Sequence, residues 1–148
     1  MGEWPTISRN KEDTYAIQHL LNAQKPKIRC SCDGRFGSST EKAVRKFQKA
    51  KGLTETGVVG PGTFGKLVMD VKPGGGNPGG AVKAVQYLLN KWGYRIRTDG
   101  DYGKRTQRQV GKFQEEHTAE KQATYIVKTE TWKELFSVPK EKKGGTGK

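Results

Sequence analysis

At 148 residues, 32% of them apolar, the chain suits one ordinary domain or two small ones. No apolar run approaches the roughly 18 residues of a membrane-spanning helix, so no membrane insertion is expected. Lys and Arg number 28 against 15 Asp and Glu, a net +13, and such a field favours polyanionic partners such as nucleic acid, an anionic membrane surface or an acidic polymer.

The chain begins Met1-Gly2-Glu3-Trp4-Pro5 with no signal-peptide pattern. The first predicted helix carries Ile17, Leu20 and Leu21 on one apolar face, with Asp13 and Thr14 as caps. Gln18 sits beside that face, where an amide can bond a loop carbonyl. A non-helical stretch then ends in Asp33-Gly34-Arg35-Phe36-Gly37, a turn in which glycine accepts positive φ and the aspartate bonds back to the chain. Ser38-Ser39-Thr40-Glu41 resembles a capping box opening a second helix, with Ala43, Val44 and Phe47 inward and Lys42, Arg45, Lys46 and Lys49 outward. Gly52-Leu53 closes that helix. Pro61 suits the first position of a third, whose inner face is Phe64, Leu67 and Val68. The glycine-rich stretch at 73–80 reads as a flexible linker.

Beyond it the same elements return. Ala16-Ile17-Gln18-His19-Leu20-Leu21-Asn22 reappears as Ala84-Val85-Gln86-Tyr87-Leu88-Leu89-Asn90, an offset of 68. The turn returns as Asp99-Gly100-Asp101-Tyr102-Gly103 with Thr106, and Val44-x-x-Phe47-Gln48 as Val110-x-x-Phe113-Gln114, both at an offset of 66. Thr63-Phe64 with Leu67 returns as Thr131-Trp132 with Leu135, again at 68. Four ordered matches mark a tandem duplication. Divided at Pro73, the first part has 13 basic and 7 acidic residues and the second 15 and 8, so each is basic, at +6 and +7. The expected architecture is all-α, two tandem three-helix modules joined as separate beads: residues 4–72, a linker at 73–80, residues 81–138, and a basic Gly/Lys tail at 139–148 expected to be disordered.

Cys30 and Cys32 have no counterparts in the second copy, and His19 and His117 are the only histidines. A two-ligand metal pattern therefore lacks partners, and neither metal nor cofactor is expected. A local Cys30–Cys32 disulfide and two ordinary thiols both fit, the disulfide preferred in a secreted protein. Two histidines far apart in sequence give no visible catalytic constellation, so a binding protein is expected in place of an enzyme. Nor is a helix-turn-helix, zinc-finger or ribonucleoprotein pattern present, which leaves nucleic acid as a non-specific, salt-sensitive partner at most.

The residues Ile17-Gln18, Leu20-Leu21, Asp33-Gly34, Phe36-Gly37, Thr40, Ala43-Val44, Phe47-Gln48, Gly52-Leu53, Gly57, Val59-Gly60, Thr63-Phe64 and Leu67 resemble the bacterial peptidoglycan-binding domain. That is a three-helix module appended to many wall hydrolases and phage endolysins, and Trp4-Pro5 is similar to the lead-in before such modules. The second copy departs from the pattern in its loop Glu115–Gln122 and in Lys128-Thr129, which replaces Gly60-Pro61.

The resemblance implies non-catalytic, bivalent attachment to the glycan strand or stem peptide of peptidoglycan, with anionic wall polymers as a secondary attraction. It implies a monomer, extracellular or wall-associated, of bacterial or phage origin. The alternative is a piece of a wall hydrolase or endolysin whose catalytic domain is elsewhere. Ligand contacts are expected beside the two turns, at Asp33, Arg35, Phe36, Thr40 and Gln48 and at Asp99, Asp101, Tyr102, Thr106 and Gln114. The competing reading is that Asp33, Phe36, Thr40 and their partners only hold the turn.

Overall fold

The computed structural model describes residues 10–139; the Trp4-Pro5 lead-in and the tail beyond Pro139 lie outside the described residues. Six helices follow one another: α1 (Lys11–Asn22), α2 (Ser38–Ala50), α3 (Pro61–Leu67), α4 (Gly79–Lys91), α5 (Lys104–His117) and α6 (Thr129–Phe136). The all-α, twice-three-helix architecture read from the duplication is the one observed. Among the described residues the β pairing is confined to an isolated antiparallel bridge between Val71 and Val127.

Local chemistry explains most of the helix ends, with two corrections. Asn10 caps α1, its Oδ1 accepting from the Asp13 N–H at 2.7 Å, so the cap lies outside the helix and not at Asp13 or Thr14. Those two residues are buried inside α1. The capping box at Ser38 does not form: α2 is entered from extended Gly37, and Glu41 turns instead to Arg45, 3.0 Å away. Pro61 opens α3 as expected.

The largest difference from the sequence reading is that the copies are not separate beads. Their buried residues form one continuous apolar cluster, with Phe64, Phe113, Trp132 and the leucines of α1 and α4 fully enclosed. The helices α1 and α4 make the principal contact. They run antiparallel, because Asp13 near the start of α1 meets Lys91 at the end of α4, while His19 and Ala23 meet Gly80 at the start of α4. A Cβ on Gly80 would stand 2.5 Å from the His19 carbonyl oxygen, so only glycine permits the helices this close.

The contacts obey an approximate two-fold relation. Shifting Tyr15 and Tyr87, stacked at 4.3 Å, by the repeat offset gives Lys83 and His19, which also face one another. Phe64 of α3 packs on Phe136 of α6 at 4.8 Å, and Trp132 Nε1 donates to the Met69 carbonyl at 2.8 Å. The stretch at 73–80, expected as a flexible spacer, is tied down by Asn77, whose side chain bonds both backbone groups of Lys72, and by Gly74 N–H donating to Tyr102 O. Its last two residues already belong to α4. Each copy alone is small, and the apolar faces left on α1 and α4 are buried by joining them.

Candidate functional site

Each Asp-Gly turn is built around a buried glutamine. In the first copy Gln18 Nε2 donates to Asp33 Oδ1 (3.1 Å), Arg35 O (3.1 Å) and Thr40 Oγ1 (2.9 Å), and its Oε1 accepts from Gly34 N–H (2.9 Å). The second copy repeats this atom for atom: Gln86 Nε2 donates to Asp99 Oδ1 (3.0 Å), Asp101 O (3.2 Å) and Thr106 Oγ1 (3.0 Å), and Gly100 N–H donates to its Oε1 at 2.8 Å. Gly34 and Gly100 adopt φ of 78° and 79°, the left-handed conformation the turn demands. Both glutamines are fully buried, so their two N–H donors and their carbonyl must find partners inside the fold, and here they do.

The turn aspartates respond to this frame. The Arg35 backbone N–H, then the Gln18 amide, hold the Asp33 carboxyl below its usual range, and Asp101 N–H and Gln86 do the same for Asp99. A carboxyl depressed in the folded state contributes stability above its unfolded pKa of about 3.9, and that contribution is lost as pH falls through the folded value. Acid melting should therefore weaken the protein below about pH 4. The double variant Asp33→Asn, Asp99→Asn keeps the acceptors but not the titration, and should show a flatter Tm-versus-pH curve over that window. Equal slopes would contradict the assignment.

Expected site residues thus divide into two groups. Thr40 and Thr106 are buried, with their hydroxyls engaged in the turn. Gln48 and Gln114 are buried elsewhere. Gln48 Nε2 donates to Thr56 Oγ1, Val58 O and Thr63 Oγ1, and Gln114 Nε2 to Thr124 Oγ1, Ile126 O and Thr131 Oγ1. They lock the loop before the third helix of each copy and do not join the turn. Phe36 packs half-buried against the core, and Tyr102 is buried with its hydroxyl donating to Tyr125 O. Asp33, Arg35, Asp99 and Asp101 are exposed on the turns.

What lies beside the turns is a groove in each copy. The first, about 480 Å³, is lined by Lys27, Arg29, Ser31 and Ser39; the second, about 310 Å³, by Arg97, Asp101, Lys104 and Arg105. The grooves stand at corresponding places, since Ser39 and Arg105 are equivalent under the repeat, but their arginines are not: Asn22 brackets Cys30 as Asn90 brackets Ile96, which pairs Arg29 with Arg95 and Arg97 with Ser31. The divergent loop of the second copy adds a larger groove of about 800 Å³ between Thr118, Glu120, Thr124 and Glu130, without a first-copy counterpart in sequence.

Sequence spacing also concealed a thiol–imidazole contact. Both cysteines are free thiols, not a disulfide. Cys32 Sγ lies 3.5 Å from His19 Nδ1 and accepts from Asn22 Nδ2 at 3.3 Å. Burial pushes both thiols above their ordinary pKa, and burial together with Lys83 lowers His19 to about 4. Thiol and imidazole are both neutral at neutral pH, a different state from the thiolate of an activated nucleophile.

Comparison with known proteins agrees with the duplication. The family described as "Putative peptidoglycan binding domain" matches twice, over residues 10–67 and 78–135. Over 35 residues the chain is 51% identical to the zinc D-Ala-D-Ala carboxypeptidase of Streptomyces albus G, a match covering 24% of this chain and 14% of that protein. No solved structure matches. Among the described residues no helix is long and apolar enough to cross a membrane.

Proposed function

Given that this chain belongs to the peptidoglycan-binding domain family, in both of its halves, we propose that it attaches to the bacterial wall as one rigid two-copy unit and brings a wall-acting partner or domain to its substrate. The observation that carries this reading is the pair of arginine-bearing grooves at corresponding places in the two copies, each beside a glutamine-locked turn. Arg29 and Arg97 offer planar, charged donors to carboxylates and amide carbonyls, and the neighbouring Ser39 and Arg105 extend the donor set. The exposed Arg35 and Asp101 stand at equivalent positions with opposite charge, so the two grooves prefer different parts of the polymer. The locked frame behind them fixes the turn backbone beside which these side chains stand, which lowers the ordering cost on binding.

Two weak sites on one body gain through effective concentration on a repeating polymer, and the shared core fixes their separation where a flexible spacer would blur it. The placement is extracellular or wall-associated, and anionic wall polymers add a salt-sensitive attraction to the net +13. The resemblance to a zinc carboxypeptidase favours a lytic or remodelling partner, its chemistry residing outside the two modules. Co-sedimentation with purified, teichoic-acid-free sacculi over a salt series tests the proposal. Retention in the pellet at high salt is the expected result, and loss at modest salt would reduce the interaction to charge.

A further inference from the structure

Antiparallel docking of α1 on α4 leaves a cleft at each end of the seam, and the two clefts are images of one another under the repeat. One is lined by Lys11, Glu12, Tyr15 and Tyr87 and encloses about 500 Å³. At the equivalent positions the other has Gly79, Gly80, Lys83 and His19, and it opens to about 640 Å³ with Cys30 and Cys32 on its wall. Three side chains that narrow the first cleft are thus two glycines and a lysine in the second. The Gly100 turn closes the far side, where a Cβ would meet Gly79 O and Lys83 Cε, each at 3.4 Å. Neither copy contains this cleft alone: His19 and the cysteines come from the first, and Lys83, Asp99 and Gly100 from the second.

Its charge is net positive, with Lys83 and Lys27 against the one carboxylate of Asp99. Lys83 and Lys27 form no ion pair among the described residues, while the Asp99 carboxylate is already bound by Gln86 and Asp101 N–H. His19 and both thiols are neutral at neutral pH. A half-buried lysine beside neutral walls, in a cleft whose two ammonium groups outnumber its one carboxylate, is a receptor for an anionic group. The volume admits a short peptide, not only an inorganic ion.

We infer that this seam cleft is a composite subsite for a short peptide ending in a free carboxylate, held by Lys83 between the two copies. The inference rests on the wall-binding reading and names, for stem peptides, a place apart from the arginine grooves. It explains why the copies are docked and not merely linked.

Cys32 is a built-in reporter, exposed and on the cleft wall. In a Cys30→Ser background it is the one remaining thiol, since the chain has two cysteines. Its alkylation by neutral iodoacetamide would be followed by mass spectrometry with soluble muropeptides released from sacculi by a muramidase. Muropeptides at ten times their Kd should slow the reaction about tenfold by occupancy. The same muropeptides with carboxylates converted to amides should not, and Lys83→Gln, with an unchanged melting curve, should abolish the protection. Sacculus pelleting by the same protein separates the two readings. Pelleting without Cys32 protection overturns the cleft and leaves wall binding standing; neither pelleting nor protection overturns both. Equal protection by amidated muropeptides, or protection that survives Lys83→Gln, overturns the carboxylate assignment.

Discussion

Replacing Lys91 by Met should destabilise the protein by about 3–5 kcal/mol, the cost of leaving a buried charge without its partner. Asp13 and Lys91 lie 78 positions apart in sequence and join α1 to α4 through a 2.7 Å contact, with side chains 1% and 7% exposed. The ammonium also donates to Ser137 O at 2.9 Å, tying the end of α6 into the seam. Burial lowers the Lys91 pKa, and the attraction of Asp13 works against that shift. Removing Lys91 takes from Asp13 its buried cation, while Asn10 Nδ2 still donates to the carboxylate. The double variant Asp13→Leu, Lys91→Met removes both charges and should recover most of the loss, because an apolar pair of similar volume is often neutral in such a place. Urea unfolding by circular dichroism and by tryptophan fluorescence measures both effects. The two probes should also superimpose in the unsubstituted protein, since one shared core unfolds as one unit. Two separated transitions would show that the copies behave as beads.

The second large effect is expected at the turn glutamines. Gln86→Leu leaves the Gly100 N–H without its partner inside the fold and the Asp101 carbonyl with the Thr106 hydroxyl alone, and Gln18→Leu does the same to Gly34 N–H and to Arg35 O, which keeps Thr40. An unsatisfied group of this kind costs about 1–3 kcal/mol, so each variant should lose about that much. Gln86→Glu is the sharper probe. It changes one NH₂ to oxygen, yet that position faces three acceptors: Asp99 Oδ1, Asp101 O and Thr106 Oγ1. The isosteric change should therefore be as damaging at neutral pH as Leu, and milder once the new carboxyl is protonated. Hydrogen exchange should locate the loss, with the Gly100 amide of the Gln86 variants losing protection first. A Glu variant as stable as the parent would remove the glutamine from the centre of the turn.

The helices and the turns were legible because their signals are local and repeated. Ile17, Leu20 and Leu21, with their counterparts Val85, Leu88 and Leu89, set a helical period, and Phe64 and Trp132 read correctly as anchors with 0% exposure. The seam was not legible. Asp13 looks like an ordinary first-turn acid and Lys91 like a solvated last-turn base, and only their distance in space reveals the pair. Gly80 reads as linker composition, whereas its role is to let α4 approach His19. The candidate site shows the same division. Gln48 and Gln114 repeat as strictly as any ligand contact would, but they repeat because a buried amide must be satisfied. Arg29 and Arg97 lie in the divergent stretch where the repeat changes its offset, at positions that are not mates, so no repeated signal pointed to them. The contact of Cys32 with His19 crosses 13 positions and has no mate in the second copy, so the repeat could not point to it.

The central claim is that the duplicated fold presents the wall with a preorganised binding surface and not merely a positive charge. The most direct measurement is the binding isotherm of the intact chain on teichoic-acid-free sacculi at about 0.5 M salt, where the Debye length is only about 4 Å. Saturable pelleting at that salt is the predicted result. Absence of binding at any salt, or binding that disappears as soon as charge is screened, would contradict it.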